Sequence, residues 1–418
     1  MFAYVCAWLF VFAVPWEDVI VLPGLGTLSK LLGIAAFGVT ALRVLLTAKV
    51  RRPVSFHWVA FAYLCWVLLS ASWAVNTYCS PVFGCSVRNA IDSYLRLFVM
   101  VWVLWEATPT RSRLMGLLQA YVLGAYVAAA GTIYNFASGA AVRRTLDRFA
   151  ANGFDPNDLG MLLALAMPIA WYIGSSSSST ILRWVNRGYF LLGSVAILLT
   201  GSRGGLLAML VALSVIPWTM TQVRRSMRIA AVAVMFVAGI AAALYVPARS
   251  FERLASTESE ISQGDMTGRW EIWKAGIAAV PARPLQGYGP AGWEMELSHR
   301  LGIKGPHNTY LAILVDEGLI GLVLFLLLLL IVLKRLLPLP VFERRVTLAL
   351  LATLATAIMP LAWDTKKALW LILGMLLSCS AVMAPTRRTL PSDSVAKDPA
   401  YSPVVQRPRR GVPRTAPR

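Results

Sequence analysis

Three short stretches carry the residues best suited to chemistry: LLTGSRGGLLAML around Arg203, TGRWEIW around Arg269, and GPHNTYLAILVDEGLIG around His307. Arginine stays protonated and offers a planar fork that grips phosphate through two parallel hydrogen bonds. Just after Arg203, Gly204 and Gly205 open a helix, so its first N–H groups and positive dipole end lie beside the guanidinium. Together these make an anion site with phosphate as its natural guest. The alternative is an interfacial arginine that snorkels to lipid headgroups. His307 is one of only three histidines in 418 residues, placed where a polar, turning segment runs into an apolar helix. A histidine titrates near neutrality and can take a proton from an attacking hydroxyl. On residue chemistry alone, a lone histidine is more often structural.

The elements that must position these residues are membrane helices. The chain is 58% hydrophobic, with mean hydropathy +0.65, well above the roughly 45–50% apolar content of soluble domains. Apolar runs of about 18 residues or more read as spanning helices, because lipid offers the backbone no hydrogen-bond partners. Twelve such stretches centre near residues 3–20, 28–46, 57–74, 90–106, 114–136, 158–174, 185–200, 204–218, 228–246, 309–333, 346–362 and 367–384. The first has no basic segment before it and no small-residue cleavage site, so it reads as a retained span. The expectation is an all-α polytopic membrane protein of about twelve transmembrane helices with one long outward loop containing amphipathic helices. Residues 1–246 hold helices one to nine, 247–308 the loop, and 309–384 helices ten to twelve. Residues 385–418 form a Pro- and Arg-rich tail that cannot build a core and is expected to be disordered, its arginines against anionic headgroups.

A net charge of +19 suggests nucleic acid until its distribution is read. Loops 47–56, 107–113, 175–184, 219–228 and 334–345 are basic, that is, every second loop. The positive-inside rule makes those loops, and both termini, cytoplasmic. The charge is topology, and no nucleic-acid partner is expected. The long loop 247–307 balances seven basic residues against seven acidic ones, so anion binding there must come from particular arginines. Within it, Trp270, Trp273, Ile277 and Val280 recur at helical spacing, an amphipathic helix suited to the interface. Pro and Gly then enforce turns in PARPLQGYGPAGW. Its GYGPAG matches the dinucleotide fingerprint literally, but no strand precedes it and no βαβ unit surrounds it, so the match is set aside.

Other polar groups have plainer readings. Arg143, Arg144 and Arg148 lie in outward loop 137–157, where Arg143 and Arg144 are candidates for supporting phosphate contacts or simply solvated charge. Asp155, Asn157 and Asp158 look like caps for the sixth span. Asp92 and Arg96, four residues apart, form a structural ion pair. Cys6, Cys65 and Cys379 fall within spans as packing residues. Cys79 and Cys85 share an outward loop, where a disulfide and two free thiols are both compatible with the sequence. No metal-ligand spacing occurs. Asp316 and Glu317 lie roughly 14 Å along the helix from His307 unless that helix breaks, and at least one of them should pair with a basic residue inside the bundle. Gly318 and Gly321 should allow close helix packing.

Two arginines and a histidine at one membrane–water interface suggest a reaction on a phosphorylated lipid. The arginines would stabilise a departing pyrophosphate and the histidine would activate a hydroxyl. No cofactor is needed, since an activated lipid-diphosphate sugar carries its own leaving group.

The three stretches, in this order, resemble the signature of the bacterial O-antigen ligase/O-antigen polymerase superfamily. The likeness is strongest over about residues 150–335 and general elsewhere. What the resemblance implies is a metal-independent, inverting glycosyltransferase of the bacterial inner membrane acting at the periplasmic face. The donor would be a glycan on undecaprenyl diphosphate. Arg203 and Arg269 would bind the donor diphosphate and His307 would be the general base. Gly204, Gly205, Asn308 and Glu317 would support them, with Arg143 and Arg144 nearby. His299 is the rival histidine. The acceptor would be lipid A–core in O-antigen ligation for lipopolysaccharide biosynthesis, or a growing glycan in repeat-unit polymerisation, or a protein. One long loop and a disordered tail favour ligation. From another class, a lipid or organic-anion transporter would use Asp92, Arg96, Asp316 and Glu317 as pathway residues. It should show internal repeats with a midplane site, and the sequence shows neither.

Overall fold

The computed structural model describes residues 1–74, 79–80, 84–142, 148–245, 268–299, 302–303 and 305–384. A helix occupies each of the twelve apolar stretches: α1 (Phe2–Ala13), α2 (Leu28–Thr47), α3 (Ser55–Ser70), α4 (Ser86–Ala107), α5 (Arg111–Ala137), α6 (Pro156–Ser176), α7 (Thr180–Leu199), α8 (Arg203–Leu213) continued by α9 (Val215–Thr219), α10 (Arg225–Tyr245), then, after α11 (Arg269–Ala279), α12 (Thr309–Leu336), α13 (Val341–Ile358) and α14 (Lys367–Val382). Seven of the described helical segments are long and apolar enough to cross a membrane. Among the described residues, the strands are two ribbons of two residues a side, Val21–Leu22 with Gly26–Thr27 and Cys79–Ser80 with Gly84–Cys85.

Side-chain oxygens set where helices begin. Thr27, Thr110, Asp155, Ser179, Ser202 and Asn308 each accept a hydrogen bond from an N–H in the first turn of α2, α5, α6, α7, α8 and α12. Pro156 follows the Asp155 cap, where its missing N–H costs nothing. The bundle is built around α6 and α14, apolar on every face: Leu159 to Gly174 and Ala368 to Ser380 are buried without interruption. Around α6 pack α5, α7, α8 and α13, while α12 lies against α3 and α14. Lipid tails are as apolar as leucine, so close backbone approach has to hold such helices together. Gly160 of α6 meets Gly205 of α8, where a Cβ on Gly205 would sit 3.1 Å from the Gly160 Cα.

α12 departs from expectation. Gly318 takes φ 68° and ψ −170°, breaking the helix in mid-course. Residues 284–289 fill the break. The Tyr288 N–H donates to Val315 O at 2.9 Å and the Gly289 N–H to Asp316 O at 2.7 Å, while the Leu319 N–H donates to Pro284 O at 2.9 Å. Backbone polar groups exposed by a break inside lipid must be satisfied by protein, and this segment satisfies them. Gly318 is therefore a hinge in the chain path, not the flat packing surface expected of it. The glycines of GYGPAG also find their purpose here. Gly287 and Gly289 adopt φ 67° and 88°, and a Cβ on Gly287 would overlap Asp316 O.

Candidate functional site

The site is assembled at the end of the bundle where α6, α8 and α12 begin. The turn before α8 is shaped from beneath by Arg148, which is only 2% exposed. Its Nε donates to Thr200 O at 2.7 Å and its guanidinium to Asn157 Oδ1 at 2.8 Å. Ser202 Oγ accepts from the Gly205 N–H at 3.0 Å, and Ser202 O from the Leu206 N–H at 2.8 Å. These two amides of the α8 terminus are thus used internally. Gly205 serves the contact with α6, and a Cβ on Gly204 would press on Met161 and Pro360. Arg203, half-buried, opens α8 directly before this glycine pair.

That turn is also strapped to α12. The buried Thr309 hydroxyl donates to Leu361 O at 2.7 Å and accepts from the Trp363 N–H at 2.9 Å. Trp363 Nε1 in turn donates to Asp158 Oδ1 of α6 at 2.9 Å. Two residues before Thr309, His307 is half-buried and holds φ 45°, a left-handed backbone that a non-glycine residue adopts only when its surroundings impose it. Asn308 caps α12 through Oδ1, accepting from the Leu311 N–H at 3.0 Å. Arg269 begins α11, and one turn later Trp273 Nε1 donates to Pro306 O at 3.1 Å, next to His307. One network therefore brings the three motifs together: α8 through Pro360, α12 through Thr309, α11 through Pro306.

α11 carries two of its apolar residues on an outward face. Trp270 and Ile277 are 45% and 57% exposed, while Ile272 and Gly276 are buried. The buried side packs on Tyr288, Trp293, Leu297, Leu311 and Val315. A Cβ on Gly276 would lie 2.5 Å from the Trp293 ring, so this glycine lets α11 settle onto Trp293. The second loop helix is a π-turn, Trp293–His299.

The acidic pair also departs from expectation. Neither Asp316 nor Glu317 forms an ion pair with a described residue. Asp316 Oδ1 accepts from the Trp293 N–H at 2.6 Å, and Glu317 Oε2 accepts from Ser70 Oγ at 2.7 Å. Glu317 is fully buried, and its Oε1 has no hydrogen-bond partner among the described residues. The break at Gly318 supplies the reason: it turns these carboxyls toward peptide and hydroxyl donors of the inserted segment and α3. Asp92 and Arg96 do pair, at 3.3 Å, with both side chains about half exposed.

Arg143 and Arg144 lie outside the described residues, as do the side chains of His299, Cys79 and Cys85, though the ribbon register sets Cys79 opposite Cys85. Among the described residues no group of His, Cys, Asp and Glu is disposed to hold a metal ion. Thr309, Trp363 and Asp364 were not anticipated as site-builders. For Trp363 and Asp364 the signal was a Trp–Asp pair in the polar break MPLAWDTKK between two apolar stretches; Thr309 had none. Asp364 Oδ2 accepts from the Tyr94 hydroxyl at 3.0 Å. Burial lifts its carboxyl above the usual 3.8, against the lowering effect of that hydrogen bond.

The chain is a multi-pass α-helical membrane protein whose basic and histidine-bearing segments close one end of its bundle. Residues 188–326 match the family model for O-antigen ligase, and over this stretch the chain is similar to the O-antigen ligase-like superfamily. The matched stretch contains Arg203, Arg269 and His307. No curated protein matches the chain.

Proposed function

We propose that this protein is a metal-independent, inverting glycosyltransferase of the bacterial inner membrane. It moves a glycan from undecaprenyl diphosphate to an acceptor hydroxyl at the periplasmic face, with O-antigen ligation to lipid A–core as the reaction. Arg203 and Arg269 grip the diphosphate and stabilise charge as the phosphate–sugar bond breaks. His307 takes the proton of the attacking hydroxyl, which bonds to the anomeric carbon from the opposite side. Asn308 and Thr309 hold His307 at the helix mouth, and Gly204 and Gly205 let α8 seat Arg203. The observation that supports this reading most strongly is the convergence of three motifs, far apart in sequence, on the turns around Pro306 and Pro360.

The test is transfer of radiolabelled glycan from undecaprenyl diphosphate by the purified protein in lipid, with and without lipid A–core, for wild type and His307→Ala. Label on lipid A–core in the wild type, reduced about 10²–10⁴-fold in the variant with donor binding retained, is the expected result. A ladder of longer lipid-linked glycans without acceptor would make it a polymerase. Equal turnover by His307→Ala would remove His307 as the base, and a loss of activity in a chelator would remove metal independence.

A further inference from the structure

At the far end of α6 from the site, the chain forms a second feature that the glycan-transfer reading does not use. The 21 residues of α6 carry it about 31 Å, at about 1.5 Å per residue, to the serine run 175–178 before α7. There a cavity of about 600 Å³ is lined by those serines, by Arg183 and Arg187 of α7, and by Arg224 and Ser226 where α10 begins.

Its electrostatics are one-sided. Among the described residues no acidic one lines the cavity, and none of the three arginines forms an ion pair with them. Arg183 donates to the Thr180 hydroxyl at 2.9 Å. Arg187 Nε meets only a thioether, Met227 Sδ at 3.1 Å, a weak acceptor, and its guanidinium lies 5.0 Å from the Trp184 ring centroid. Ser175 Oγ is buried and has no hydrogen-bond partner among the described residues. Guanidinium forks and hydroxyl donors converging without a carboxylate are the donor set for phosphate. Topology alone asks for cations in this loop; it does not ask them to gather around an open polar cavity. Trp184 and Ile181, 61% and 75% exposed on the same helix, place the cavity at the level of an interface, where tryptophan sits among headgroups.

We propose that this pocket binds the phosphate of an anionic phospholipid from the leaflet it faces. Basic pockets between helices are a recognised lodging for such headgroups. The test uses the full chain in neutral detergent, titrated calorimetrically with dihexanoylphosphatidylglycerol, dihexanoylphosphatidylcholine and inorganic phosphate. Saturable binding of phosphatidylglycerol is expected, weakened about a hundredfold in R183Q/R187Q/R224Q, or about fivefold per arginine. Ser175→Ala changes no charge and should weaken it severalfold in a chain that folds normally. Inorganic phosphate should bind weakly at the same arginines. Phosphate binding as tightly as the lipid would assign the pocket to a free anion and overturn the lipid source. Equal affinity for phosphatidylcholine, or unchanged affinity in both variants, would overturn the site itself.

Discussion

At the scale of single residues, the candidate site depends on side chains whose chemistry a near neighbour cannot copy. If Arg203 grips a diphosphate with a two-pronged fork, Arg203→Lys keeps the charge but loses the second prong. The expected fall in kcat/KM is about 10–100-fold, from roughly 1.5–3 kcal/mol per charge-assisted hydrogen bond. Wild-type rates in the lysine variant would reduce Arg203 to an anchor for headgroups. Asp364 offers a test by pH. Its carboxyl is raised by burial, so the folded chain binds this proton more tightly than the unfolded one. Its stability contribution is then present in full below the ordinary carboxyl value and declines as pH rises through the elevated one. Asp364→Asn can still accept from the Tyr94 hydroxyl and removes the charge. In unfolding scans from pH 3.5 to 8, the variant should gain on the wild type as pH rises, and a constant difference would contradict this assignment.

At the scale of elements, helices over the apolar stretches were legible because a long apolar run in lipid has few other ways to satisfy its backbone, and seven described segments are long and apolar enough to cross. The Asp155 cap was legible too, as a residue of the kind that accepts first-turn N–H groups, whereas Asn308 was not read as a cap. What escaped the sequence was the partner of each polar group. Asp316 and Glu317 invited a search for cations because their helix looked continuous. The break at Gly318 and the insertion of residues 284–289 gave them a peptide N–H and a serine hydroxyl instead. The inward contact of α11 was silent in sequence too, since Gly276 carries no hydrophobic signal yet lies against the Trp293 ring. Thr309 is equally silent in sequence, one threonine among many, until its two bonds to the 360–366 turn are seen. A direct test of the break is Gly318→Ala. Its left-handed φ alone costs about 1–2 kcal/mol with a Cβ present, and that Cβ overlaps Leu285 O. A clear drop in melting temperature and loss of monodisperse protein are expected; an unchanged melt would mean that the break does not depend on glycine.

At the scale of the whole molecule, the chain presents two chemically different ends: one with a histidine, two arginines and tightly strapped turns, the other with serines around three guanidinia that form no ion pair with a described residue. If these ends face opposite sides of the membrane, a probe should tell them apart. In a background lacking the five native cysteines, Gly305→Cys should react with a membrane-impermeant maleimide in intact spheroplasts, and Ser176→Cys only after permeabilisation. Labelling of both in sealed cells would overturn the topology. The broken span also bears on biogenesis. As α12 leaves the insertion machinery, the peptide groups on either side of Gly318 have no partners within the helix and none in lipid. They find them only once residues 284–289 have folded back, and the segments flanking that insertion carry Arg269 on one side and His307 on the other. If Arg269 and His307 act as proposed, completing the span and completing their site would be a single maturation step, and a chain arrested before it would be inserted yet inert.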